Sequence, residues 1–170
     1  MSGVENSFIL GGKENKITAT NTTSWSIIGG GSGNKIENSN YAIILGGKDN
    51  TISDQSNESI ILWGEGNSVE KGKGIIIGNR NRITNKQNGK ETVVIGNNIA
   101  VTGSDNVLMG KDYQSSGTNS FVWSTKNEAI TWENEFIIKN THGMAINLEE
   151  NDTDGIALAL KGALKIWEGT

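Results

Sequence analysis

A short unit recurs along this chain and limits its fold more than any other feature. Each unit has consecutive Ile, Leu, Val or Phe residues, a glycine near the end of that run and, in the first five units, an asparagine three positions after the glycine. The aligned glycines are Gly12, Gly31, Gly47, Gly64, Gly78, Gly96 and Gly110, and the asparagines are Asn15, Asn34, Asn50, Asn67 and Asn81. Successive glycines lie 14 to 19 residues apart, so the pattern indicates a repeat architecture.

Each unit predicts a short strand, a tight corner and a second short strand. Apolar runs of three or four residues between Gly and Asn are too short for a helix. Glycine permits a positive φ at the corner, and asparagine tolerates one better than other residues. Stacked units would form parallel ladders about 4.8 Å apart, with equivalent asparagines joined in a column. We therefore predict an all-β chain, a parallel β-roll or β-solenoid whose variable loops leave the stack.

The apolar runs also predict self-association. Residues 60–62 and 75–77 are apolar at every position, so both faces of each strand should be covered. A coil as short as 14 residues contains two short strands and encloses little by itself. Copies of the same chain around a symmetry axis are the simplest cover for the second face. We expect a homo-oligomer, and specifically a homotrimer.

The repeat pattern fades near residue 114, where a polar stretch rich in Ser and Gly begins. We predict two domains, with β-roll repeats over residues 1–116 and a small β-rich connector module over residues 117–170. Strands are predicted at residues 120–123, 128–132, 135–139, 144–148 and 156–167. The chain begins within the repeat pattern and ends without a closing element, so we expect it to be a piece of a longer protein.

Charge and residue types argue against several functions. The net charge of −4 provides no basic footprint for nucleic acid. The chain lacks cysteine, and its single histidine, His142, lies in a predicted turn, so a zinc site is not expected. Possible phosphate and calcium motifs at residues 66–73 and 29–34 lack the required spacing. We therefore predict a non-enzymatic protein without a cofactor or bound metal.

No part of the sequence predicts insertion into a membrane. No apolar run approaches the roughly 20 residues of a membrane span, and no signal peptide is visible. In the fourth repeat unit Trp63 occupies a position that is glycine in the three units before it. This tryptophan is interpreted as a bulky plug filling a wider coil or the symmetry axis, with a ligand platform as the alternative.

The repeat units resemble the head repeats of YadA-like trimeric autotransporter adhesins. Residues 6–11 read Asn-Ser-Phe-Ile-Leu-Gly and residues 93–96 read Val-Val-Ile-Gly, and the resemblance extends over about residues 4–114. It implies a left-handed parallel β-roll, three chains around one axis, and attachment to a host or environmental surface. The units here reach 19 residues, and Ile replaces the small Ala of that family.

The C-terminal part is similar to segments of phage tail-fibre and large bacterial surface proteins. The similar segments lie at residues 134–138, 143–147 and 162–166. In such proteins a β-rich piece of this sort precedes a chaperone or stalk region. This second resemblance implies a connector between the repeats and a following part of a fibre.

The leading hypothesis is an extracellular adhesin head on a bacterial cell surface, holding outward residues at fixed spacing so that weak contacts add up. The candidate contacts for an unknown surface receptor or glycan are Trp25, Tyr41, Lys86 and Lys90. The alternative is a tail-fibre shaft of a virion with the same architecture. An ice-binding solenoid would need regular threonine ladders, and a polysaccharide-active β-helix would need paired carboxylates on neighbouring coils. The sequence supports both of these less well.

Overall fold

The computed structural model describes residues 3–20, 22–84, 91–125 and 127–139, which contain β-strands and no helix. The strands form a parallel β-solenoid of about 8 turns, which confirms the predicted fold class. The number of chains in the assembly stays a prediction. No helix able to cross a membrane occurs among the described residues.

Each turn contributes a strand to two parallel ladders. β1 (Gly3–Glu5) and β4 (Thr22–Ser24) form a separate pair. Ladder 1 contains β2 (Phe8–Ile9), β5 (Ile27–Ile28), β7 (Ile43–Ile44), β9 (Ile60–Trp63), β11 (Lys73–Asn79), the first part of β13 (Glu91–Val101) and of β14 (Asn106–Ser115), β15 (Phe121–Ser124) and β17 (Phe136–Lys139). Ladder 2 contains β3 (Lys16–Thr18), β6 (Lys35–Glu37), β8 (Thr51–Ser53), β10 (Ser68–Glu70), β12 (Arg82–Thr84), the last part of β13 and of β14, and β16 (Ala129–Ile130).

Aliphatic side chains stack in single file inside the coils. In ladder 1, Ile44, Ile61 and Ile76 are neighbours in register and are fully buried. Ile36 and Ile52 are equivalent neighbours in ladder 2. Both files belong to one hydrophobic core that runs along the solenoid. The interior is therefore only as wide as two aliphatic side chains, and burial depends on stacking rather than on a broad core.

The outward sides of the two ladders differ in chemistry. In ladder 2 the outward residues are mostly polar, as in β6 and β10, where Lys, Glu and Ser flank a single buried aliphatic residue. In ladder 1 most outward residues are apolar, although the charged residues Lys73 and Glu91 begin β11 and β13. The apolar ones are Phe8, Leu10, Ile27, Ile43, Leu45, Ile60, Leu62, Trp63, Ile75, Ile77, Val93, Ile95, Val107, Met109, Phe121, Trp123, Phe136 and Ile138, which we term the exterior apolar face. Each coil therefore has one outward side that is mostly polar and one that is mostly apolar.

The repeated glycines form a column in which each approaches the next coil closely. At Gly47 the φ angle is +92°, and an added Cβ would meet the carbonyl oxygen of Gly64 in the next coil. At every other glycine of the column an added Cβ would likewise meet the carbonyl oxygen of the next column residue, which is Ser124 after Gly110. A side chain at these corners would separate the coils.

The repeated asparagines form a hydrogen-bonded column beside the glycines. The Nδ2 of Asn50 donates to the Oδ1 of Asn34 at 3.0 Å and to the carbonyl of Gly64 at 2.8 Å. Its own Oδ1 accepts from the backbone N–H and the Nδ2 of Asn67, at 3.0 and 2.9 Å. The column ends at Asn81, whose Oδ1 accepts from the backbone N–H of a buried isoleucine, residue 99. Asparagine amides therefore join five consecutive coils, and all of them except Asn15 are buried.

The ladders continue across the predicted domain boundary near residue 116. β14 pairs with β15, and β15 pairs with β17, in the same parallel sheet as the preceding strands. The predicted strands at residues 120–123, 128–132 and 135–139 are confirmed as β15, β16 and β17, with small differences in their bounds. The strands predicted at residues 144–148 and 156–167 lie outside the described residues. The division into two domains stays a prediction.

Candidate binding surface

One corner of the solenoid carries exposed residues in a regular column. This corner precedes the strands of ladder 1. The N–H of Trp25 donates to the carbonyl of Glu5, and the N–H of Tyr41 donates to that of Ser24 in the coil before. The equivalent bonds of Glu58, Asn119 and Asn134 end on Asn40, Ser104 and Thr118. Equivalent corner residues therefore lie one coil apart.

The backbone at this corner adopts a left-handed conformation. The φ angle is +46° at Asn6, +57° at Asp105, +54° at Asn119 and +59° at Asn134. Asn and Asp tolerate this conformation because their short side chains can bond the local backbone. Trp25, Tyr41 and Glu58 adopt the same conformation, with φ angles of +59°, +55° and +57°. For bulky side chains this conformation is strained.

The strained aromatic residues gain little burial in return. The side chains of Trp25 and Tyr41 are 55% and 57% exposed, and they occupy the same corner in consecutive coils. An aromatic residue that served the fold would be expected to bury more of its surface. Glu14, Lys71 and Arg80 also adopt a positive φ, so the exposure of two aromatic rings at one corner makes this pair a candidate binding surface.

Next to the aromatic pair the column continues as a group of three charged residues. The Nζ of Lys73 lies 2.7 Å from a carboxylate oxygen of Glu58 and 2.8 Å from one of Glu91. The hydrogen bonds to Glu58 and then Glu91 raise the pKa of the Lys73 ammonium above its ordinary value, although its burial opposes this. We term Trp25, Tyr41, Glu58, Lys73 and Glu91 the corner row. The row combines two aromatic rings with three charges whose sum is −1.

A cleft of about 350 Å³ lies along the corner row. Tyr41 and the three charged residues form one part of its wall. The other part belongs to the exterior apolar face and includes Ile60, Ile75 and Val93. The cleft is large enough for a small organic ligand, and it combines apolar wall with a few polar groups, as ligand sites commonly do.

Trp63 does not fill the inside of a coil. The residue is 68% exposed and pairs in register with Ile77, at a β-bulge that absorbs one extra residue in β9. A Cβ added at Gly46 would lie 3.5 Å from its indole ring, so the ring covers this glycine on the outside. The interpretation of Trp63 as a plug inside a wider coil is therefore wrong. Its position on the symmetry axis stays a prediction.

A second, shallower hollow of about 610 Å³ lies beside Trp63. Its wall includes Leu45, Lys48 and Glu65, and the Nζ of Lys48 lies 3.1 Å from a carboxylate oxygen of Glu65. This hydrogen bond to Glu65 raises the pKa of the exposed Lys48 ammonium above its ordinary value. The indole and the ion pair leave open the interpretation of Trp63 as a ligand platform.

Of the predicted receptor contacts, the structure brings Trp25 and Tyr41 together, while Lys86 and Lys90 lie outside the described residues. Glycine alignment did not identify Glu58, Lys73 and Glu91. All five corner-row residues precede the first apolar residue of a ladder 1 strand by two positions. An alignment on the start of the apolar run would therefore have found the corner row.

The described residues contain no group of three or more His, Asp or Glu side chains placed to hold a metal ion. His142 lies outside them. No protein-family model matches the chain, and no similar sequence is found among curated proteins.

Proposed function

We propose that this chain is part of a non-enzymatic, homotrimeric surface fibre, the head of an extracellular adhesin that attaches to a host or environmental surface. The observation that carries the proposal is the exterior apolar face. It extends over nine strands of ladder 1, while the outward side of ladder 2 in the same coils is mostly polar. Only one side of the solenoid therefore requires a cover.

The size of this face favours a permanent partner. Nine rungs at about 4.8 Å give an apolar stripe about 40 Å long. Members as different in position as Phe8, Leu45 and Phe136 are more than half exposed in the single chain. Monomeric proteins rarely expose a continuous apolar patch of this extent, because its burial is favourable by about 25 cal/mol per Å². A stripe with one apolar step per coil is best covered by a surface with the same spacing, and a second copy of the chain provides it.

A trimer is supported by the resemblance of the repeats to adhesin heads, and an attachment function by the corner row. Three chains would present three copies of Trp25 and Tyr41 at fixed positions. Linked weak contacts of this kind raise the overall affinity by orders of magnitude without any new contact. The net charge of −4 disfavours nucleic acid as the target.

The first experiment measures the mass of the assembly by sedimentation equilibrium at micromolar concentration. The measured mass of the wild type should be three times the chain mass of 18.2 kDa. Ile95→Glu places a charge in the exterior apolar face, outside the cleft beside the corner row, and should give monomers. Thr51→Glu, on the outward side of ladder 2, is the matched control and should stay trimeric. A monomeric wild type would refute the assembly.

A second experiment tests attachment. Beads coated with wild-type trimer should adhere to at least one of a set of cell and glycoprotein surfaces, and beads coated with Ile95→Glu monomers should adhere about a hundredfold less. Adhesion of wild-type beads no greater than that of albumin-coated beads on every surface would refute the attachment function.

A further inference from the structure

We propose that the corner row and its cleft form a binding site for neutral, hexose-containing saccharides. The inference deepens the proposed attachment function and rests on it. It assigns a ligand class to Trp25 and Tyr41, and it adds Glu58, Lys73 and Glu91 as the groups that orient the ligand.

The exposure of the two aromatic residues, at a corner where asparagine fits the backbone better, indicates a purpose other than folding. Asn occupies the same corner in coils near both ends of the solenoid, at Asn6, Asn119 and Asn134, and adopts the left-handed backbone readily. Trp25 and Tyr41 adopt it at a cost and remain more than half exposed. The strain is therefore not offset by burial within the chain, and binding of a ligand by the rings would account for it.

The chemistry of the row matches a sugar better than it matches a peptide or a lipid. A pyranose presents an apolar C–H face and a rim of hydroxyl groups that donate and accept hydrogen bonds. The aromatic rings suit the first, and the charged groups suit the second. Lys73 has three N–H donors and uses two on Glu58 and Glu91, and each carboxylate retains acceptor sites beyond the one that Lys73 occupies. A hydroxyl rim can use both kinds of group at once.

The charge and spacing of the row narrow the ligand further. The sum of −1 over Glu58, Lys73 and Glu91 should disfavour sialylated and other acidic sugars. The backbone hydrogen bonds of this corner run between coils, as at Tyr41 and Glu58, so the row offers no free strand edge for a peptide. Neighbouring coils are about 4.8 Å apart, so consecutive rings and charges can contact consecutive parts of one oligosaccharide.

The decisive variant is Tyr41→Asn, because it removes the ring and relieves the backbone strain together. Its melting temperature should rise by a few degrees, so a loss of binding cannot be attributed to misfolding. Binding of neutral disaccharides, with maltose, lactose and cellobiose as the probes, is measured by saturation-transfer NMR and calorimetry. Tyr41→Asn should weaken binding at least about tenfold, and Tyr41→Phe, which keeps the ring, should stay within about twofold.

The oligomeric state separates this proposal from the preceding one, because Ile60, Ile75 and Val93 of the exterior apolar face form part of the cleft wall. Tyr41→Asn should remain trimeric while it loses the saccharide. Failure of every disaccharide to bind a trimeric wild type would overturn the saccharide site and leave the fibre proposal standing. Saccharide binding by a monomeric wild type would overturn the fibre proposal and leave the saccharide site standing. Dissociation of the trimer in Tyr41→Asn, or equal binding of sialyllactose and lactose, would also overturn the assignment.

Discussion

The buried asparagine column should stabilise the solenoid far more at its centre than at its end. In Asn50→Ala the backbone N–H of Asn67 loses the only acceptor that it has among the described residues. A buried donor left without a partner costs about 1–3 kcal/mol. The Oδ1 of Asn34 and the carbonyl oxygen of Gly64 also lose the bonds that the Asn50 amide donates to them, each worth about 1 kcal/mol net. We expect Asn50→Ala to lower the free energy of unfolding by about 3–5 kcal/mol.

Asn15→Ala is the matched control. The Oδ1 of Asn15 accepts from the backbone N–H and the Nδ2 of Asn34 in the same geometry, but Asn15 is only partly buried. Water can reach this end of the column and replace the lost partner, so the cost should be about 1 kcal/mol. Urea denaturation followed by circular dichroism, at one fixed protein concentration, measures both variants. Equal losses in the two variants would refute the argument that burial gives the column its strength.

Three further experiments test the glycine column, the buried phenol of Tyr113 and the exposed Trp63. Gly47→Ala should lower the free energy of unfolding by at least about 3 kcal/mol, because its φ is positive and an added Cβ meets the next coil. Gly30→Ala, where the space is open, is the control and should change it by no more than about 0.5 kcal/mol. Similar losses for the two variants in chemical denaturation would contradict this. Burial raises the pKa of the Tyr113 phenol in the folded chain above the value of about 10 that it has in the unfolded chain. The stability that the neutral phenol contributes is therefore complete below a pH of about 10 and is lost as the pH rises further. The variant Tyr41→Phe leaves Tyr113 as its one tyrosine. At alkaline pH the absorbance of its ionised phenol should appear together with unfolding, and ionisation of Tyr113 in the intact fold would contradict the burial argument. Trp63→Gly should change the stability of the single solenoid by less than about 0.5 kcal/mol, and a larger loss in thermal denaturation would show that the indole is buried in the assembly.

The repeat was readable from the sequence because its causes are local. Gly47 and its equivalents are required wherever one corner touches the next, and Asn50 and its equivalents are required wherever an amide must bond to the coil on each side. A solenoid repeats these requirements once per turn, so they appear in the sequence at a nearly fixed distance. The strands and the corners followed directly from this pattern.

The position of Trp63 shows where local reasoning failed. Aligned on the glycine column, Trp63 replaces a glycine and appears to require space inside the coil. In the structure a bulge in β9 absorbs the extra residue, so the register with Ile77 is kept and the indole turns outward. A bulge is settled by pairing between strands, which a single unit does not reveal.

The sequence by itself determined that the chain stacks into parallel coils, since apolar runs, glycines and asparagines at fixed offsets permit little else. Only the tertiary structure decided which apolar positions are inside and which form the exterior apolar face, because the runs are apolar at both parities. It also placed Trp25, Tyr41 and Glu58 at one corner in consecutive coils, and it placed Lys73 between Glu58 and Glu91. Such residues lie 15 or more positions apart in the chain, and stacking brings them within about 5 Å per coil.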